Sequence, residues 1–277
     1  SSSDPEVPRY SGHVKKPLIV LAVGVASVAC AYLPGTRTQA FAGRSVEYAD
    51  ISHGPPTVVF EHGLAGSMGS WEDVFTEIGK NTSVFAYHRP GYGHSSPPTT
   101  PRDGAHVVDE LRELLRRTGH PPPYLLVGHS LGGLYLQLFA RKYPDEVAGL
   151  VLVDSLHPTQ FDGAGAIAEQ PPWFRAALAL FVRGPMRREL AAAQETGRAV
   201  LALRTVLDKP VVVLSARDKS TSEAARFANQ KRADLARLYP NSEQVWLDCG
   251  HNIQNERPRA VIDAIRRVLA RVRRAGP

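Results

Sequence analysis

Cysteine is scarce: Cys30 and Cys249 are the only two in 277 residues. Two thiols are too few for a disulfide framework or a cysteine-based zinc site. No internal repeat or low-complexity tract appears, which sets aside solenoids and repeat arrays. A strong charge of one sign is also missing. The chain has 33 Lys+Arg against 27 Asp+Glu, a net +6. Much of the basic excess sits in "RRVLARVRR" near the C-terminus, which carries five arginines. Around it, Val261, Ile262, Ile265, Val268, Leu269 and Val272 recur at three- and four-residue spacing, the pattern of an amphipathic helix with a solvated basic face. No aromatic interleaving or binding module accompanies it, so nucleic acid is not an expected partner. With 43% hydrophobic residues the chain can bury a substantial core.

One long apolar run lies near the start of the sequence. In "KKPLIVLAVGVASVACAYLPG" two lysines precede 16 uncharged residues, 18 to 33. That length is short for a membrane span and long for a signal-peptide core. "ACA" at 29–31 fits a small-x-small cleavage site, and "SVAC" only loosely resembles a lipoprotein box. Arg9, Lys15 and Lys16 lie before the run and Arg37 and Arg44 after it, a weak bias toward an outward-facing body. The run predicts an export signal or a single membrane anchor, with the main body outside the cytoplasm. The competing reading is a helix packed on the main domain. Residues 1–43 are thus a tail, and 44–277 the main domain.

From residue 44 onward β-rich runs alternate with helical stretches. "TVVFEH" (57–62), "TSVFAYH" (82–88), "YLLVGHS" (124–130), "AGLVLVDS" (148–155), "PVVVLSA" (210–216) and "EQVWLD" (243–248) read as strands. Most are continuously apolar, as strands covered on both faces are. Helices are expected over 103–118, 131–143, 222–238 and 257–274, and "RSVEYADI" (44–51) as an antiparallel edge strand. Such alternation implies an α/β fold with a doubly wound, mostly parallel sheet. Residues 156–208 contain no strand pattern and are too long for a structureless loop. Their Trp173, Phe174, Leu178, Phe181 and Val182 recur at helical spacing, so a helical excursion is expected there. It reads either as simple packing or as a cap whose Trp173, Phe174 and Phe181 touch substrate.

Ligands of open parallel sheets bind beyond the carboxyl ends of the strands, so strand-ending residues come first. "VGHSLGG" places Ser130 after an apolar strand and before a helix. Strand, Gly-x-Ser-x-Gly, helix is the context of a nucleophile elbow, where small residues allow strand and helix to approach closely. A serine needs a base. Of ten histidines, His251 follows the last strand and stands at the same sheet edge as Ser130. The base needs a carboxylate to fix its tautomer. Asp218, Asp154 and Asp248 all end strands and all fit the chain order Ser…Asp…His. Asp218, on the strand before that of the histidine, is the first choice, with Asp154 in reserve. The oxyanion donors are expected from backbone N–H groups of Leu64, in the small-residue loop "EHGLAGSMGSW", and Leu131, after the serine.

With these pieces the chain resembles a capped, single-domain serine hydrolase of the α/β-hydrolase fold superfamily, esterase- or lipase-like, over about residues 44–274. The matching segments are "EHGLAGSMGSW", "YHRPGYGHS", "VGHSLGGLY", "YPDEVAGLVLVDSLHP", "VVVLSARD" and "CGHNIQNERP". The resemblance implies a cap inserted after the sixth strand of that fold at about 156–208. It also implies a Ser130–Asp218–His251 triad with Leu64 and Leu131 as oxyanion donors. No cofactor and no metal is implied. One departure is His88, where the family often has aspartate opening the turn "HRPGYGHS". Serine at the elbow argues against the dehalogenase and epoxide hydrolase branches, which carry aspartate there. The expected activity is hydrolysis of a small-molecule carboxylic ester bearing an apolar group. Carbon–carbon bond hydrolysis, lactonase or cofactor-free perhydrolase action on the same triad is the alternative. A non-catalytic binding protein on this scaffold is a third.

Overall fold

The computed structural model describes residues 33–41 and 43–275. The apolar run 18–33, apart from Leu33, therefore lies outside the described residues. Among the described residues no helix is long and apolar enough to cross a membrane.

Among the described residues eight strands form one sheet: β1 (Thr36–Phe41), β2 (Arg44–Ile51), β3 (Thr57–Glu61), β4 (Val84–Tyr87), β5 (Tyr124–His129), β6 (Val147–Val153), β7 (Val211–Ala216) and β8 (Ser242–Leu247). Their spatial order is β1-β2-β4-β3-β5-β6-β7-β8. β1 and β2 are antiparallel and join β4 antiparallel; from β4 to β8 every pairing is parallel. Among the described residues eight α-helices accompany the sheet: α1 (Glu72–Gly79), α2 (Gly104–Arg117), α3 (Ser130–Lys142), α4 (Pro172–Phe181), α5 (Gly184–Ala202), α6 (Glu223–Arg237), α7 (Ile253–Glu256) and α8 (Pro258–Ala275).

The continuous apolar runs have a simple cause. Successive side chains on a strand point to opposite faces, and here both faces are covered. On β5, Tyr124 and Leu126 join the core under α2 and α3, while Leu125 and Val127 join the core under α1 and α8. β6 divides in the same way, Leu150 and Leu152 against Val151 and Val153, and β7 follows with Val211 and Val213 against Val212 and Leu214. All of these are fully buried. Each contributes roughly 1.5–3 kcal/mol on burial, so both layers are fixed by the same few strands.

The sheet begins before residue 44. β1 pairs with β2 from Thr36↔Ala49 to Phe41↔Arg44, so a boundary at 43/44 cuts a hairpin and the domain extends back at least to Thr36. The basic last helix, α8, behaves as its periodicity predicts. Val261, Ala264, Ile265 and Val268 are buried, while Arg266 pairs with Glu77 and Arg271 with Glu243 on the solvent side.

The excursion between β6 and β7 is helical, with two short 3-10 turns followed by α4 and α5. The two helices differ. α5 buries Leu190, Ala193, Thr196 and Val200 beside α2 and α3, where Gly104 N–H donates to Thr196 Oγ1 at 2.9 Å. Nothing on α4 is buried.

Candidate active site

β5 is the central strand, flanked by β3 and β6, and the chain turns sharply at its end. His129 is still extended, but Ser130 has φ +52°, a conformation that costs a non-glycine residue on the order of 1–2 kcal/mol. The fold holds it there because α3 starts at once and runs back across the sheet. Gly132 makes this approach feasible: a Cβ at that position would lie 2.4 Å from the His62 carbonyl oxygen and 2.6 Å from that of Glu61. Ser130 is half-buried, and the loop after β3 passes directly beside it, since a Cβ at Gly63 would lie 3.1 Å from Ser130 Cβ.

Leu131 is in the first turn of α3, where helix geometry leaves N–H groups without an internal acceptor and the dipole favours negative charge. Leu64 lies in the loop that touches Ser130, and that loop is clamped from below. The buried Arg89 guanidinium donates to the carbonyls of His62 (2.7 Å) and Gly63 (3.1 Å). It also pairs with the buried carboxylates of Glu61 and, from cap helix α5, Glu189. Tyr92 Oη–H donates to Glu189 at 2.7 Å. The cap's root is thereby tied to the loop that carries Leu64.

His251 follows β8. Its Nδ1 donates to Asp154 Oδ2 at 2.6 Å, and its carbonyl accepts from His129 Nε2 at 3.0 Å. Asp154 ends β6 with φ +39° and is 4% exposed. Its Oδ1 accepts from the Ala216 N–H at 3.0 Å, and Arg232 of α6 grips both oxygens, Nε to Oδ1 at 2.7 Å and Nη2 to Oδ2 at 2.8 Å. Burial opposes ionisation of this carboxyl. Hydrogen bonds and charge from His251 and Arg232 outweigh it and hold the group below the usual carboxylate range. His129 is held neutral, its pKa pushed down to about 3, by burial and by the neighbouring His251.

The structure therefore departs from the expected placement of the acid. Asp218 is exposed; its carboxylate accepts from the Ser220 N–H at 2.9 Å, and its backbone is bracketed by the Asn229 amide. It caps the turn into α6, and His251 is bonded to the reserve residue, Asp154. Asp248 is likewise exposed and pairs with Lys219. Asp218 and His251 share only a cleft of about 480 Å³ beyond the ends of β7 and β8, with Phe227, Arg232 and Cys249 in its walls.

Of the three apolar residues expected to touch substrate, Trp173 and Phe174 meet edge to face with ring centroids 6.0 Å apart. Phe174 is half-buried, whereas Trp173 and Phe181 are each 62% exposed. Their helix packs through Leu178 and turns Trp173 and Phe181 outward, so helical spacing alone does not indicate a closed pocket. His88 takes a structural place: its Nδ1 donates to Glu47 Oε2 at 2.6 Å, and Ser67 Oγ is 3.0 Å from Nε2. Glu47 on β2 supplies the carboxylate that the turn itself lacks. Arg89, Glu189 and Arg232 gave no separable signal in the sequence, since each is one charge on a helix or turn. Among the described residues no group of three or more His, Cys, Asp or Glu is arranged to hold a metal ion.

Comparison with known proteins agrees with this architecture. The sequence pattern of the alpha/beta hydrolase fold family matches residues 56–183. A (lyso)-N-acylphosphatidylethanolamine lipase of Mus musculus is 33% identical over 133 residues, 46% of this chain and 38% of that protein. A 1-acylglycerol-3-phosphate O-acyltransferase of the same species is 31% identical over 134 residues, 46% of this chain and 37% of that protein. The matched stretches span well under half of these relatives' lengths. A thermophilic esterase from Thermogutta terrifontis superposes with TM-score 0.61 at 25% identity, covering 86% of this chain and 97% of the other. The chain thus has the α/β-hydrolase fold, and the sequence pattern of that family matches it over residues 56–183.

Proposed function

We propose that the protein hydrolyses carboxylic esters through an acyl-enzyme on Ser130, with His251 as base, Asp154 as the orienting acid, and the N–H groups of Leu64 and Leu131 as oxyanion donors. The observation that carries this reading is the 2.6 Å bond from His251 Nδ1 to the buried Asp154, at the sheet edge where Ser130 forms a strained turn. With Nδ1–H given to Asp154, Nε2 has the lone pair that a base requires. Ser130 Oγ attacks the ester carbonyl carbon and its proton passes to Nε2, leaving an oxyanion for the two N–H groups. The C–O bond then breaks, and Nε2–H protonates the departing alkoxide. Water repeats the sequence on the acyl-enzyme, giving up one proton to Nε2 and releasing the acid, while the serine regains its proton. Asp154 stays ionised throughout and stabilises the transient imidazolium.

A panel of p-nitrophenyl esters of increasing acyl length tests the substrate class. Turnover abolished by Ser130→Ala supports the reading. Inert esters on a protein whose Ser130 still reacts with a fluorophosphonate would overturn the ester assignment and favour carbon–carbon or lactone substrates. No fluorophosphonate reaction on a folded chain would favour a binding protein. The acyltransferase among the relatives motivates a second reading, in which an alcohol in place of water receives the acyl group. Product analysis with added glycerol decides between acid and new ester. Export or anchoring through residues 18–33 is also proposed, and fractionation of cells expressing the full-length chain tests it; a wholly soluble cytoplasmic protein would refute it.

A further inference from the structure

A surface helix ordinarily turns its polar side to water. α4 does the opposite. Trp173 is 62% exposed, Leu180 57% and Phe181 62%, with Ala176 and Ala179 exposed between them. At 100° per residue Trp173, Ala176 and Leu180 fall on one side of the helix, so its outward side is an apolar strip. The half-buried Leu178 and Phe174 lie on the side that packs.

The charges around this strip have one sign. Residues 172–188 contain Arg175, Arg183, Arg187 and Arg188 and no acidic residue. All four arginines are exposed, and none forms an ion pair with a carboxylate among the described residues. Arg183 instead donates Nε to the Leu180 carbonyl at 2.8 Å. On α8, by contrast, Arg266, Arg267 and Arg271 are matched by Glu77 and Glu243. An exposed apolar patch rimmed by unmatched positive charge fits a surface that offers acyl chains below and anionic groups above.

We propose that the α4 face, through Trp173, Leu180 and Phe181 with Arg175, Arg183, Arg187 and Arg188, docks on an anionic phospholipid surface. The cap is rooted at the reacting edge of the sheet: Leu156 N–H donates to the Ser130 carbonyl at 3.1 Å, and Glu189 of α5 is bound to Arg89. Docking through α4 would present that edge to molecules held in the bilayer. The docking does not rest on the ester chemistry, and Ser130→Ala should bind vesicles as the parent protein does.

The test uses the full chain and vesicles of phosphatidylcholine with or without phosphatidylglycerol. Of the three tryptophans, Trp71 is fully buried and Trp246 half-buried, so Trp173 is the reporter. Emission should shift to the blue and be quenched by brominated acyl chains with anionic vesicles, and Trp173→Phe should remove the change while binding persists. Replacing an arginine by glutamine should weaken binding by about fivefold each, since one basic residue near an anionic surface contributes about 1 kcal/mol. Leu180→Ser with Phe181→Ser should abolish the Trp173 shift. Vesicle binding with Trp173 unmoved would overturn the proposal and assign the binding to another segment. An equal shift on neutral vesicles would overturn the role of the arginines. A shift that grows with protein concentration without lipid would assign the face to a second copy of the chain.

Discussion

Asp154→Asn is the sharpest perturbation of the proposed site. Asp154 accepts from His251 Nδ1 at 2.6 Å and from Arg232 and the Ala216 N–H. An asparagine fills the same volume but has one acceptor oxygen in place of two. If that oxygen faces Arg232, an NH2 group faces His251, and Nδ1 must give up its hydrogen. The proton then sits on Nε2, the atom that has to accept from Ser130. In a serine protease triad the equivalent change lowers kcat by roughly 10⁴, or about 5.5 kcal/mol of barrier. A loss of that size is expected here in the turnover of a short p-nitrophenyl ester, with KM little altered. Asp218→Asn is the matched control. Its carboxylate is exposed and engaged only in its local turn, so the rate should stay within about twofold, the scale of a surface substitution. Thermal melting of both variants separates lost chemistry from lost folding. A folded Asp154→Asn enzyme with near-normal kcat, or an Asp218→Asn enzyme that loses as much, would refute the assignment.

Three further outcomes follow from burial and packing. Arg89→Met leaves Glu61 buried without its cation and Glu189 with only the longer pairing to Arg102, which should cost about 3–5 kcal/mol and lower Tm on the order of 10 °C in calorimetry. Gly132→Ala puts a methyl against the His62 and Glu61 carbonyls; it should lower kcat/KM sharply by displacing the Leu64 loop, whereas Gly119→Ala, whose Cβ meets open space, should spare activity while costing some stability through its positive φ. Stability should also fall in acid. His129 and His62 are held neutral by burial, with His129 near 3 and His62 well below its ordinary value. The unfolded chain thus binds more protons below about pH 6.5, and stability declines from there toward pH 3 by up to about 1.4 kcal/mol per pH unit for each histidine. Below about pH 4 the depressed Asp154 carboxyl adds to the loss. A melting temperature flat between pH 7 and pH 4 would contradict this.

The parallel body of the fold is legible because strands covered on both faces are apolar throughout. β5, β6 and β7 stand out for that reason, and the elbow can be placed on β5 from sequence. β1 could not be found in this way: "TRTQAF" is a polar edge strand whose place comes from pairing with β2. α1, eight residues long, was too short for a distinct period. The acid of the site was ambiguous for a different reason. Asp154, Asp218 and Asp248 all end strands, and the choice among them depends on the φ of Asp154 and on a partner, Arg232, 78 residues away. Apolar periodicity on α4 marks a helix face without saying what lies opposite, and at Trp173 and Phe181 that is solvent.

In the proposed mechanism Ser130 is the nucleophile. Intact-mass measurement after treatment with a fluorophosphonate tests it most directly. A single phosphonyl adduct should form, map by peptide sequencing to the 127–133 segment, and vanish in a folded Ser130→Ala variant. An adduct that persists in that variant, or none on the folded parent protein, would contradict the account.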